Sequence, residues 1–326
     1  MSALGIEELE ALALLPPEAA GYSPLADSPF LLLRLGDSAG RRLGEWLRRL
    51  PCPVIGIGRT DAPLAAACDV LVDSEKDAAP LLAGIRRSPV AASVFVQLLR
   101  ATESLEIADA LAMESLAYAT LQGGAEFRRW LEQRPPPPAP PVEAGPAVLL
   151  LHQGDELRLT LNRPARRNSM SVEMRDALVE ALQLALADEA IRRVRIDGAG
   201  KCFSTGGELD EFGTAPDPAT AHAVRSLTVP GRLLAACAGR AEARLHGACI
   251  GSGIEFPAFA GRVVAAPDAW FQLPELQFGL IPGAGGCVSI PRRIGRQRTA
   301  WMVLGGRRID AATAKAWGLV DALEAS

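Results

Sequence analysis

Along the first quarter of the chain, short apolar runs alternate with stretches in which apolar residues recur every three or four positions. This pattern predicts a strand over residues 30–35 (FLLLRL), a helix over 41–50, a strand over 53–57, a short helix over 62–67 and a strand over 70–72. From residue 78 to 133 the pattern is helical. There the apolar set Ile107, Leu111, Leu116 and Tyr118, with Glu103 and Glu106 near the start, suits a packed helix. RPPPPAPPVEAGP, residues 134–146, interrupts everything: its prolines remove backbone donors and favour extended geometry, so it reads as a semi-rigid linker. Alternation then resumes, with strands over 148–151, 157–161, 194–196, 243–245 and 263–265. Helices are predicted over 172–187 and 220–237. The class is α/β, divided into 1–133, the linker 134–146, and 147–326.

Composition narrows the function. Of 326 residues, 49% are hydrophobic and 22% charged, the balance of a folded globular chain rather than a disordered one. A net charge of -4 argues against a general nucleic-acid surface. The clusters Arg163, Arg166, Arg167 and Arg292, Arg293, Arg296 are either solvated faces or a grip for a phosphorylated ligand. The six cysteines are scattered, with no CxxC pair and no His/Cys spacing that suits zinc, so buried free thiols and no metal are expected. The N-terminus has no basic lead-in and no stretch of eighteen uncharged apolar residues occurs, so the expectation is a cytoplasmic protein without a membrane span.

Three glycine-containing segments carry the candidate chemistry: CFSTGGELDEF (202–212), HGACIGSGIEF (246–256) and QLPELQFGLIPGAGG (272–286). None completes GxGxxG or a P-loop. They offer exposed N–H groups at helix starts, where glycine lets a ligand oxygen approach closely. Glu255 lies one turn beyond Ser252. Pro274 and Glu275 look like a second helix start, with proline at the first helical position and an acid in the first turn. Taken singly, Glu275 is as well a helix-start charge as a functional acid, and Glu255 as well half of a structural ion pair as a functional one. A nucleophilic set drawn from His246, Ser252, Cys249 and Asp268 is the rival reading. It is weakened because position 250 is isoleucine, which breaks GxSxG, and because His246 falls on a predicted strand.

In this order the segments resemble the crotonase (enoyl-CoA hydratase/isomerase) superfamily. NRPARRNSMS, FSTGGELDEF, GACIGSGIE, PELQFGLIPGAGG and AATAKAWGLVDAL each resemble one of its motifs, from about residue 148 to 323. The resemblance implies a spiral of ββα repeats, an oxyanion hole from the N–H groups of Gly207 and Ser252, and acid/base carboxylates at Glu255 and Glu275. It implies coenzyme-A contacts at Arg163, Arg167, Asn168, Ser169, Phe203 and Thr205. Ser252 stands where the family has glycine, which is harmless only if its φ is ordinary. Having both carboxylates favours hydration of a 2-enoyl-CoA over isomerisation or hydrolysis, in fatty acid or aromatic degradation. A non-catalytic CoA-binding or scaffold subunit is the alternative. No cofactor beyond the CoA of the substrate is expected, and a homo-oligomer, trimer or hexamer, is implied.

Gly261 replaces a common family aspartate, Pro257 sits early in the helix after Glu255, and the chain stops at Ser326 where the family continues into further helices. Residues 88–134 resemble those helices, AL-x-x-E included. CPVIGIGRTDAPLAAACDVLV resembles a shortened ARLHGACIGSGIEFPAFAGRVVA, without counterparts of Gly-Ser-Gly and Glu255. The expectation is a degenerate, site-less crotonase-like part, fused or permuted, whose helices stand in as the cover of an intact second part.

Overall fold

A computed structural model describes residues 3–37, 41–136 and 143–324; residues 137–142 of the proline-rich linker lie outside the described residues. The first part contains α1 (Ile6–Leu12), β1 (Leu31–Arg34), α2 (Arg41–Arg49), β2 (Val54–Ile57) and β3 (Val70–Val72). The strands pair in parallel in the order β1-β2-β3, with Leu31 opposite Val54 and Ile55 opposite Val70. Side chains alternate across this sheet, so Leu31 and Leu33 join a small cluster with Leu9, Leu47 and Leu50 while Phe30 and Leu32 face the main core. The helix expected over 62–67 is only a 3-10 turn, Ala65–Ala67. Pro63 removes a backbone donor, and β3 follows too soon for an α-helix to propagate.

Four helices follow, α3 (Glu75–Arg87), α4 (Pro89–Thr102), α5 (Ile107–Gln122) and α6 (Ala125–Gln133). The Ser74 hydroxyl caps α3 by accepting from the Asp77 N–H, and Pro89 opens α4 where its missing donor costs nothing.

The second part continues through β4 (Val148–Gln153), β5 (Glu156–Leu161), α7 (Val172–Ala187), β6 (Arg193–Gly198), α8 (Pro218–Leu227), α9 (Pro230–Ala236), β7 (Ala241–Leu245), β8 (Ala248–Ile250), α10 (Ser252–Glu255), β9 (Arg262–Ala265), β10 (Trp270–Gln272), α11 (Gly286–Ile294), α12 (Arg296–Gly305), β11 (Ile309–Asp310), α13 (Ala311–Trp317) and β12 (Ala322–Leu323). The helix expected over 220–237 is two helices, because Pro230 disfavours helical geometry at Val229, which is extended (φ -102°, ψ 105°).

A six-stranded sheet runs β12-β9-β7-β6-β5-β4, parallel except for the β4–β5 hairpin, and a smaller sheet runs β11-β10-β8. The smaller sheet positions the site, since β8 runs into Gly251 and β10 into Glu275.

One buried cluster spans both parts, from Ile55, Val70, Phe95 and Leu99 to Leu159, Ile196, Phe271 and Leu304. The seam also holds an ionic knot. Asp69, 1% exposed, binds Arg100 of α4, accepts from Arg296 of α12 at 2.8 Å and accepts from the Val54 N–H at 2.8 Å. Removing its charge leaves two buried guanidinium groups short of an anion. Asp69→Asn is therefore expected to cost about 3 kcal/mol, measured as a lower denaturant midpoint at unchanged slope. A loss below about 0.5 kcal/mol, the usual scatter for a surface change, would show that the knot does not hold the seam.

Candidate active site

Backbone bridges bring the three glycine segments together. The Ser204 N–H donates to Ala248 O at 3.2 Å and the Ile250 N–H to Ser204 O at 3.1 Å. The Gly251 N–H donates to Gln272 O at 3.0 Å, and outside these segments the Met170 N–H donates to Gly206 O at 2.8 Å. At the end of β8 the chain turns sharply at Gly251 (φ 50°, ψ -122°), a conformation few side-chain-bearing residues adopt. A Cβ there would meet Glu275 Oε1 at 2.8 Å and Glu255 Oε1 at 3.6 Å, so this glycine is what allows the backbone to lie against both carboxylates. Ser252 itself opens α10. Among the described non-glycine residues only Arg167 and Asn168 have positive φ, so Ser252 is unstrained where the family has glycine. Neither Gly207 nor Ser252 donates its N–H to a protein acceptor among the described residues, and both line a cavity of about 830 Å³.

The carboxylates share this cavity. Glu255, 3% exposed, accepts through Oε2 from the N–H groups of Ala284 (2.7 Å) and Gly286 (3.0 Å) at the start of α11. Burial raises its pKa to about 7, with those amides pulling the other way. Glu275, 8% exposed, opens a 3-10 turn, Glu275–Phe278. Pro274 occupies the cap position of that turn rather than the first position of an α-helix. Glu275 Oε2 is buried without a hydrogen-bond partner among the described residues, and burial reinforced by the Glu255 charge pushes the Glu275 carboxyl well above the usual range. The pair thus has one member held by amides as a carboxylate and one that keeps its proton, a division of labour suited to acid/base work.

The sequence-predicted coenzyme-A residues divide. Thr205 lines the cavity. Arg163 faces inward, buried, with Nη2 on Glu173 at 2.5 Å and on Gly145 O at 2.8 Å. Asn168 accepts from the Arg163 N–H at 2.8 Å and donates to Ala199 O and Cys202 O, a clamp across loops. Ser169 donates to Glu208 at 2.6 Å, and Phe203 is a core ring beside Phe256. The Arg167 side chain is exposed, and its carbonyl accepts from the Thr205 N–H at 3.1 Å. Arg163, Asn168, Ser169 and Phe203 hold the segments that frame the cavity and are not part of its wall. His246 sits just past β7, its Nε2 3.0 Å from Gly200 O, where it forms no triad with Ser252 or Asp268. All six cysteines are buried free thiols, as expected.

Three site residues escaped sequence reasoning. Glu114 of α5 is wholly buried and takes the remaining amides at the start of α11, Gly285 N–H at 2.7 Å and Cys287 N–H at 2.8 Å; burial, then the Glu255 charge, raises its pKa to about 8. Tyr118, one turn on, lines the cavity against Gly283, where a Cβ would meet its ring at 2.4 Å. Arg225 of α8 stacks on that ring at 4.6 Å. The only signals were the AL-x-x-E likeness for Glu114 and the apolar spacing that included Tyr118.

The sequence profile of the enoyl-CoA hydratase/isomerase family matches residues 156–326. The chain is 34% identical over 174 residues to the 2,3-dehydroadipyl-CoA hydratase of Escherichia coli (strain K12), covering 53% of this chain and 68% of that protein. It is 33% identical over 168 residues to the 1,2-epoxyphenylacetyl-CoA isomerase of the same organism, covering 50% and 64%. Among solved structures, an enoyl-CoA hydratase/isomerase of Mycobacterium abscessus superposes with a TM-score of 0.52 at 31% identity, covering 55% of this chain and 71% of that one. The enoyl-CoA hydratase of Thermoplasma volcanium GSS1 does so with a TM-score of 0.51 at 30% identity, covering 56% and 73%.

Proposed function

Because this chain belongs to the enoyl-CoA hydratase/isomerase family, we propose that it hydrates a 2-enoyl-CoA thioester, with Glu255 and Glu275 as the proton-handling pair. The observation that carries the reading is the pair itself: two buried carboxyls against Gly251, one amide-bound and one with an unpartnered oxygen. The thioester oxygen accepts from the Gly207 and Ser252 N–H groups, which stabilise charge as it develops there. Glu255 takes a proton from water as the water oxygen bonds to Cβ. The π electrons move to the thioester enolate, and Glu275 gives its proton to Cα. Proton exchange between the carboxyls restores the starting state, and one water has been added. Helices α4–α6 serve as the cover, a reading supported by Tyr118 in the cavity wall and by Ser88 donating to Leu276 O at 2.7 Å.

Mass analysis of the product of crotonyl-CoA tests the reaction: a gain of one water supports hydration, whereas a shifted double bond at unchanged mass points to isomerisation. The pH dependence follows from the raised pKa values. Glu255 must be ionised, so kcat/KM is expected to rise through about pH 7 and to fall about tenfold per unit well below it. Glu275 must be protonated, so the rate declines again as rising pH ionises its raised carboxyl. A flat profile from pH 5 to 9 would remove Glu255 from the mechanism as the base.

A further inference from the structure

The cavity contains three arginines, and they differ in how their charge is met. Arg175 pairs with Asp176 at 2.8 Å, and Arg308 is exposed over the Trp270 ring. Arg225 is half-buried and forms no ion pair with a carboxylate among the described residues. Its Nε donates to Ser115 Oγ at 3.1 Å, Nη1 to Gln122 Oε1 at 3.0 Å and Nη2 to Ser115 O at 3.3 Å, all neutral acceptors. One hydrogen on each terminal nitrogen is left over. Those three bonds fasten α8 to α5, yet a neutral donor would fasten them equally well without placing a positive charge out of bulk water. The charged form bears that cost, since burial lowers the Arg225 pKa.

Position says what the charge faces. Arg225 lies on the Tyr118 ring, and the Tyr118 hydroxyl is in the field of Glu255, Glu275 and Glu114. Among the carboxyls, Glu114 is the one whose field reaches Arg225, and its raised pKa, about 8, keeps it largely protonated near neutral pH, so it offsets little of that charge. The same cavity wall includes the apolar Ala221 and Val224 of the same helix. We propose that Arg225 receives a carboxylate at the far end of the acyl chain, so that the substrate class of this site is an ω-carboxylated acyl thioester. The proposal rests on the acyl-CoA reading above but not on the direction of the reaction.

Saturated thioesters separate binding from turnover. Titration calorimetry of the full chain with adipoyl-CoA and with hexanoyl-CoA is expected to show adipoyl-CoA binding at least about tenfold more tightly, the scale of a hydrogen bond to a charged group. Arg225→Met is expected to bring the two affinities together by weakening adipoyl-CoA alone. Should that variant not fold, Arg225→Gln keeps an amide donor toward α5 and gives the same comparison. Equal affinities in the wild-type protein, or equal weakening of both ligands by substitution, would overturn the proposal and leave Arg225 as a helix fastener. A preference for adipoyl-CoA in a protein that hydrates no enoyl-CoA would sustain the proposal and sink the hydratase reading. No binding of either thioester would sink both.

Discussion

Glu275→Gln is expected to lower kcat for crotonyl-CoA hydration by about 10²- to 10⁴-fold, with thioester affinity changed by no more than a few-fold. The substitution is close to silent for the fold: Glu275 is held protonated by burial and by the Glu255 charge, so a neutral amide of the same shape adds no charge and removes none. What it removes is the transferable proton. The Oε2 atom has no hydrogen-bond partner among the described residues, so no contact within the protein competes for that proton. Glu255→Gln differs, because the Ala284 and Gly286 N–H groups need an acceptor and the amide must offer them its oxygen. Steady-state loss of the conjugated enoyl absorbance gives kcat, and calorimetry with a saturated thioester gives affinity. A Glu275→Gln enzyme within threefold of wild type, by the arithmetic of about 0.7 kcal/mol, would end its assignment as the acid.

What was legible in the sequence was whatever is encoded locally. Ser252 and Glu255 sit on one turn, so spacing alone placed them together, whereas the three-residue strand β8 before Gly251 was too short to stand out. Helix α7 was legible to its bounds because its apolar period is regular and Ser171 caps it by accepting from the Met174 N–H. Long-range wiring was not legible. Glu114 reaches Gly285 across 171 positions, and no local pattern distinguishes a glutamate that caps a distant helix from one in solvent. The motif likeness at 163–169 was silent on wiring of another kind, the inward turn of the Arg163 and Asn168 side chains that braces loops. A motif records that a residue type belongs at a position without saying whether it touches substrate or holds the residue that does.

That wiring makes the first half of the chain part of the site's electrostatics, and Glu114→Ala is the substitution that exposes it. Four successive amides, Ala284 to Cys287, open α11, and two carboxyls divide them: Glu255 takes Ala284 and Gly286, Glu114 takes Gly285 and Cys287. Alanine would leave two buried N–H groups unpaired at about 1–3 kcal/mol each, with a small cavity added. The expected loss is about 3–6 kcal/mol of stability, read as a lower denaturant midpoint. Catalysis should fall as well, because a loosened α11 start no longer fixes the carboxylate of Glu255. Glu114→Gln separates the two effects: its single oxygen keeps one amide paired, so the stability cost is expected to be about 1–2 kcal/mol. It also removes a group that must ionise as pH rises through about 8. The sign follows from the raised pKa. Between the ordinary carboxylate range and pH 8 the unfolded chain holds fewer protons than the folded one, so wild-type stability declines with pH across that window. Glu114→Gln is expected to flatten that decline. An identical slope in variant and wild type would mean that Glu114 is already ionised at neutral pH, and that the start of α11 carries two negative charges rather than one.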